Sequence, residues 1–256
     1  MIKTLKIKSV EIGANPPKII VPIVGKTFEE VTAKAKELQT VRIDMVEWRA
    51  DHFQEIFDKD RTLCLLRELR NILERYPLLF TFRTKKEGGE KDIAMNDYVE
   101  MNATVAKSGH VDLIDVEAFS DGDAVQKNIS IVHDAGVYVI GSYHNFQATP
   151  PKEELVGMLR KMQEMGVDIP KIAVKPNSVG DVLTLLAATN DMYEKYADRP
   201  IFTMSMTEKG VVSRLAGGIF GSAMTFGAVG QVSAPGQIPA SQLAQVLDIL
   251  YQTRQQ

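Results

Sequence analysis

From Ile19 to the C-terminus, short β-branched runs alternate with longer stretches of helical period, and this alternation limits the chain to folds built of βα units around a parallel sheet. Strands are expected over Ile19–Val24, Val41–Trp48, Leu78–Phe82, Val111–Val116, Val137–Tyr143, Lys171–Lys175, Ile201–Ser205 and Ala223–Phe226. Helices are expected between most of them. Thr27 with Glu30 has capping-box spacing and opens a helix to about Gln39. Leu63, Leu66, Leu69, Ile72 and Leu73 form an apolar stripe within Asp60–Tyr76, which Pro77 ends. Further helices are read over Asn96–Lys107, Ala124–Ala135, Pro151–Gly166, Asp181–Lys195 and Ser241–Tyr251.

Eight such strands in 256 residues match a single-domain α/β fold, the (β/α)8 or TIM barrel, over 1–256. Residues 1–18 are expected to add a hairpin, Leu5–Ile12 turning at Gly13-Ala14-Asn15, that closes the barrel's N-terminal end. A doubly wound open sheet shows the same alternation, but no Gly-x-Gly-x-x-Gly follows the first strand. Gly217-Gly218-Ile219-Phe220-Gly221 comes too late to serve as that motif and is only a weak phosphate-loop match.

Composition narrows the class of function. Lys and Arg number 30 against 33 Asp and Glu, for a net charge of -3, so no global field favours nucleic acid or an anionic membrane. A small-molecule partner is expected. Cys64 is the one cysteine, which excludes an internal disulfide and points to a cytoplasmic protein. The N-terminus lacks the apolar run of about 7 or more of an export signal, and no stretch reaches the roughly 18 apolar residues of a membrane span. Four histidines without His-x-x-x-His spacing give no zinc pattern, and no metal is expected.

In a barrel the chemistry sits at the C-terminal ends of the strands, where charged residues are informative. Here the second strand ends in Glu47-Trp48-Arg49-Ala50-Asp51, the third in Arg83 with Glu87 beyond, the fourth in Asp115-Val116-Glu117 and the fifth in His144. A structural salt-bridge layer would explain any one of these better than it explains the set. His110 and His133 read as surface residues, whereas His52, after a strand end, stays open. The sixth strand carries Lys171 and Lys175 on one face by period-two alternation. An inward, desolvated lysine is expected to have a lowered pKa and to attack a carbonyl as a neutral amine. Position alone favours Lys175, nearer the strand's C-terminal end.

These strand ends resemble the type I 3-dehydroquinate dehydratases. The resemblance rests on Glu47-Trp48-Arg49-x-Asp51, Phe80-Thr81-Phe82-Arg83-Thr84 with Glu87-Gly88-Gly89-Glu90, Asp115-Val116-Glu117, Ser142-Tyr143-His144-Asn145-Phe146 and Pro170-Lys171-Ile172-Ala173-Val174. It continues through Met204-Ser205-Met206, Ser213-Arg214 and Ser233-Ala234-Pro235-Gly236-Gln237, covering nearly the whole chain. The resemblance implies a cofactor-free lyase of the shikimate pathway that converts 3-dehydroquinate to 3-dehydroshikimate and water, acting as a homodimer. It implies that Lys171 forms an imine, that His144 moves the protons and that Glu87 orients His144. It further implies that Arg214 grips the substrate carboxylate, and that Glu47, Arg49, Arg83, Ser233 and Gln237 bind ring oxygens or the carboxylate. Ser233 to Gln237 are expected on a loop that closes over the substrate. Met204 and Met206 are expected to pack in the core or line the pocket, and Asp115 and Glu117 to stand behind it, supporting Arg49 or Lys171. Two residues depart from the pattern: Asn145 replaces the more frequent Asp, and Lys175 stands where methionine is usual. The match favours Lys171 as the nucleophile. A class I aldolase would share barrel and imine but cleave a carbon–carbon bond, and a non-catalytic barrel would bind without an imine.

Overall fold

The computed structural model describes residues 2–230, 236 and 238–252. Among them the chain runs β1 (Leu5–Ile7), β2 (Val10–Ile12), β3 (Lys18–Ile23), α1 (Phe28–Glu37), β4 (Met45–Arg49), α2 (Lys59–Ile72), β5 (Leu78–Thr81), α3 (Met95–Lys107) and β6 (Leu113–Glu117). It continues through α4 (Gly122–Asp134), β7 (Tyr138–Asn145), α5 (Lys152–Glu164), β8 (Ile169–Val174), α6 (Val179–Lys195), β9 (Phe202–Ser205), α7 (Val211–Ala216), β10 (Met224–Ala228), β11 (Ile238–Pro239) and α8 (Ala240–Gln252).

Each strand from β3 to β8 pairs in parallel with the next one in the chain, and β10 pairs with β3. A parallel bridge of Ile201 to Ser222, with the Ala223 N–H donating to the Ile201 carbonyl at 2.7 Å, joins β9 to β10 and closes the ring. The expected eight-stranded barrel is therefore the observed fold, and the two-residue β11 is appended to β10. One apolar cluster lies between sheet and helices, where Trp48, Phe53 and Phe80 meet edge to face. A second cluster fills the ring. It joins Ile20, Met45, Leu79, Leu113, Ile140, Ile169, Phe202 and Met224 to Ile7 and Ile12 of the β1–β2 hairpin. The hairpin thus closes the N-terminal end as expected, but it turns at Lys8-Ser9, where Ile7 pairs with Val10, and not at Gly13-Ala14-Asn15, which follow its second strand. Among the described residues no helix is long and apolar enough to cross a membrane.

Local chemistry explains where elements begin and end. The Thr27 side chain accepts from the Glu30 N–H at 3.2 Å, while Glu30 accepts from the Lys26 N–H instead of completing the box on Thr27. A reciprocal capping box, not anticipated, forms at Ser178 and Asp181. The second barrel strand starts at Met45, not Val41, because a 3-10 turn occupies Leu38–Thr40 and the Asp44 carboxylate accepts the Ile19 N–H at 2.7 Å. The glycine-rich run is a 3-10 turn, Gly217–Phe220, closed by Gly221 at φ 108°, and the short α7 supplies the helix missing from the sequence reading between β9 and β10. Two shifts bear on the site. Strand β7 runs on to Asn145 and carries His144 within it, while β8 ends at Val174 and leaves Lys175 outside.

Candidate active site

Inside a barrel strand every second residue faces inward, so β8 presents Ile169, Lys171 and Ala173 to the interior. Only 2% of Lys171 is exposed. Its Nζ lies 3.0 Å from Asp115 Oδ2 and 3.9 Å from Glu47 Oε1, above the rings of Phe226 at 5.4 Å and Phe202 at 5.8 Å. Lys175 is exposed. Its N–H donates to the Asn145 carbonyl at 2.9 Å, and it borders an open cleft with Asn177, Thr207 and Lys209. The reading that places both lysines on one strand face is corrected here. The chain leaves the sheet at Lys175-Pro176, since proline has no N–H to extend the ladder.

Arg83, 3% exposed, is the hub of the charges above Lys171. Its Nη2 meets Asp115 Oδ1 at 2.7 Å, and its Nη1 reaches Ser142 Oγ at 2.9 Å, Glu117 Oε1 at 3.1 Å and Glu87 Oε2 at 3.5 Å. Glu117 also accepts from the Thr84 N–H and hydroxyl, each at 2.8 Å. Asp115 accepts from the Ser142 hydroxyl at 2.6 Å. Burial alone would push the Asp115 carboxyl up, but Arg83 and Lys171 beside it hold it down to about 2. Asp115 therefore supports Lys171 as expected, and Glu117 supports Arg83 and not Arg49. Arg83 itself, expected to meet substrate oxygens, spends its Nη groups on these carboxylates and Ser142.

His144 Nδ1 lies 3.0 Å from Glu87 Oε2, the carboxylate-to-imidazole contact expected of this pair. Burial is the largest push on Glu87 and raises it, Arg83 opposes that push, and the neighbouring Glu117 and Asp115 charges add to it, so that the carboxyl stands at about 8. Burial, with Arg83, Lys171 and Arg49 nearby, holds His144 well below the ordinary histidine range. The two shifts describe one proton shared by the pair at neutral pH. At the end of β4, Arg49 forks onto Asp51 at 2.8 and 2.9 Å, and the wholly buried Asp51 also accepts the Glu90 N–H at 3.2 Å, tying Arg49 to the turn after Glu87. Glu47 accepts the Thr81 hydroxyl at 2.8 Å. His52 lies 3.7 Å from Asp51, and His133 pairs with Asp168 at 2.9 Å, away from this cluster.

Arg214, on α7, differs from these cations. It is 8% exposed, and among the described residues its guanidinium has no hydrogen bond or ion pair, with Nε buried and unpartnered. Burial pushes its pKa down. An unpaired buried cation is costly, so the position suits an incoming anion. Ser233 and Gln237 lie outside the described residues. Met204 is buried and Met206 partly buried against the inner cluster. Sequence reading gave no role to Ser142, Phe202, Phe226 or Tyr98, whose hydroxyl donates to the Asp115 carbonyl at 3.1 Å. Strand phase was the available signal for Ser142 and Phe202, which fall at inward positions.

The type I 3-dehydroquinase family model matches residues 19–254. The 3-dehydroquinate dehydratase of Bacillus licheniformis is 49% identical over 251 residues, 98% of this chain and 99% of that protein. That of Salmonella typhimurium is 49% identical over 250 residues, 98% and 99% of the two chains. The crystal structure of the Clostridium difficile type I enzyme, with covalently modified comenic acid, superposes with a TM-score of 0.97 at 47% identity, covering 99% of this chain and 100% of that one. With the barrel, the inward lysine and the histidine–carboxylate pair in place, this chain belongs to the type I 3-dehydroquinase family.

Proposed function

We propose that Lys171, His144 and Glu87 perform the family's reaction, the dehydration of 3-dehydroquinate to 3-dehydroshikimate in the shikimate pathway. Lys171 Nζ adds to the ring ketone and expels water, giving a protonated imine. The imine withdraws electrons from the adjacent C–H bond, and His144 Nε2, left free by the Nδ1 contact with Glu87, takes the proton. The electron pair passes into an enamine. Collapse of the enamine expels the neighbouring hydroxyl, which receives the proton from His144 and leaves as water. Hydrolysis returns the amine and consumes the water lost on imine formation, so the net product is one water from the substrate. Burial and the cations around it hold His144 well below the ordinary histidine range, so the imidazole is neutral and able to take the proton, and as a weak base it gives that proton up readily to the leaving hydroxyl.

The observation that carries this reading is the position of Lys171, an amine sealed within the ring of strands beside a proton-transfer pair, with Lys175 outside it. The unpaired Arg214 fits the substrate carboxylate, and Arg49 and Glu47 fit its hydroxyls. Arg83 acts chiefly by holding Asp115, Glu117 and Glu87 in place. The family motif assigns Ser233 and Gln237 to the substrate as well. Family membership supports a cytoplasmic homodimer of single-barrel chains.

Borohydride reduction during turnover, followed by tryptic mapping, tests the assignment. The substrate-derived mass is expected on the peptide carrying Lys171 alone. Labelling at Lys175, or none while 3-dehydroshikimate accumulates, overturns it.

A further inference from the structure

The His144 imidazole, tethered to β7, is held at Nδ1 by Glu87, and the residues that pack on this pair bear on where Nε2 points. Phe146, one residue beyond β7, is 47% exposed, unusual for a large apolar ring this close to buried charge. Its ring stacks on the His144 imidazole, with centroids 6.3 Å apart and planes at 17°. The edge of the same ring lies against Gly88, directly after Glu87. A β-carbon added at Gly88 would stand 2.4 and 2.5 Å from two Phe146 ring carbons, a clash only glycine avoids. Gly88 also has φ 84°, the left-handed conformation that closes the Lys85–Glu87 turn. The next residue, Gly89, packs on the Arg83 carbonyl so closely that its own β-carbon would lie 1.8 Å from that oxygen. The turn bearing Glu87 is thus held by two close contacts, Gly89 on the Arg83 backbone and Gly88 on the Phe146 ring.

We propose that Phe146 is a positioning residue for proton transfer: its ring, seated in the space that Gly88 leaves open, clamps the Glu87 turn against the His144 imidazole and keeps water from that edge of the pair. The clamp rests on the role proposed above for His144. The charged and titratable groups around the pair are Arg83, Asp115 and Glu117, Lys171 and Arg49, from β5 and its following turn, β6, β8 and β4. Among the described residues the His144 ring hydrogen-bonds to Glu87 and to none of these other groups, so wetting the ring changes solvation and not ion pairing. Since burial is what raises Glu87 most, wetting it lowers the pH at which the pair gives up its proton.

Phe146→Ala, Phe146→Leu and Phe146→Tyr, made in the full chain, test the clamp. For Phe146→Ala we expect kcat to fall about tenfold, within the loss that misplacement of a catalytic group produces. KM stays within about twofold, and the midpoint of the pH–kcat profile drops by about one unit. Borohydride trapping on Lys171 persists, as imine formation does not need the clamp. Phe146→Tyr restores both kcat and midpoint, whereas Phe146→Leu, which fills volume without a flat ring, restores neither. Unchanged kcat and midpoint in Phe146→Ala overturn the proposal, as does full rescue by leucine or loss of trapping on Lys171, which would place the defect before proton transfer. Full turnover in His144→Ala would instead remove the reading of His144 itself, whatever the Phe146 variants show.

Discussion

Along β4 the inward residue changes from Met45 to Glu47, along β6 from Leu113 to Asp115, along β7 from Ile140 to Ser142 and along β8 from Ile169 to Lys171. Each change takes two residues, about 7 Å of strand. Below that line the interior is apolar and is capped by Ile7 and Ile12 of the hairpin. Above it, Lys171, Arg83, Asp115, Glu117 and Glu47 are all nearly inaccessible to solvent, and each has an opposite charge within reach. The same strands therefore supply two layers with different tasks. Apolar burial in the lower layer stabilises the barrel, whereas buried ion pairs contribute little net stability because desolvation offsets their attraction. Charges that add so little to the stability of the fold fit the role proposed for them toward a substrate.

Extending the lower chemistry upward by one position gives the largest expected effect. Lys171→Met removes the amine proposed to attack the ketone, and turnover should fall by about 10⁴-fold or more, the scale of losing a covalent nucleophile. The variant should still fold, because Arg83 remains 2.7 Å from Asp115 to balance its charge. Steady-state assay with a denaturant melt checks both, and residual turnover above a few per cent would contradict the separation of layers. His144→Ala should cost about 10² to 10⁴ in kcat while leaving the Lys171 adduct trappable. The lower layer should behave in the opposite way. Leu113→Ala is expected to lose about 2–5 kcal/mol of stability with kcat per folded molecule unchanged; a kcat loss at full stability would show that the layers are coupled.

A smaller effect separates charge from geometry in the upper layer. The Glu87–His144 pair loses its shared proton as pH rises through about 8. Only then does a Glu87 carboxylate accept the Nδ1 proton, leaving a lone pair on Nε2 as the base. kcat should therefore rise with pH to a plateau above about 8. Glu87→Gln keeps a hydrogen-bond acceptor for Nδ1 but cannot ionise, so the rise near pH 8 should vanish and the plateau drop by about tenfold. A profile with the same rise in the variant would assign that titration to another group.

How much of this was legible beforehand follows from the period of the strand. Charges at Glu47, Asp115 and Lys171 stood out because alternation put them where an apolar residue belonged, and the lower layer was readable for the converse reason. Strand ends were harder to read. Lys175 keeps the phase of Lys171, and only Pro176, which cannot join the ladder, marks that the sheet has stopped. The role of Arg83 was illegible because its partners, Asp115, Glu117 and Ser142, come from two other strands, at sequence separations that no local pattern joins. The isolation of Arg214 was illegible too, since the lack of a partner is a property of the folded surroundings. Gly88 and Phe146 stood in the motifs, but their contact joins positions 58 apart, which no local pattern connects.

Lys171 and Lys175 give the comparison at its smallest scale: two amines four residues apart, one inside the ring and one on its rim. Among the described residues the Lys175 ammonium has no ion pair, and it borders a cleft shared with Lys209. A cation on the rim attracts an anionic substrate before any contact forms. At roughly 10 Å in water the attraction of two unit charges is about 0.4 kcal/mol, and it is largely screened at 0.15 M salt, where the Debye length is about 8 Å. Lys175→Met should accordingly lower kcat/KM by about twofold at low ionic strength and by less as salt is added, with kcat unchanged. Turnover measured from low to high salt checks this. A kcat loss as large as that of Lys171→Met would mean that the outer amine does the chemistry, and the division between the sealed ring and its rim would fail with it.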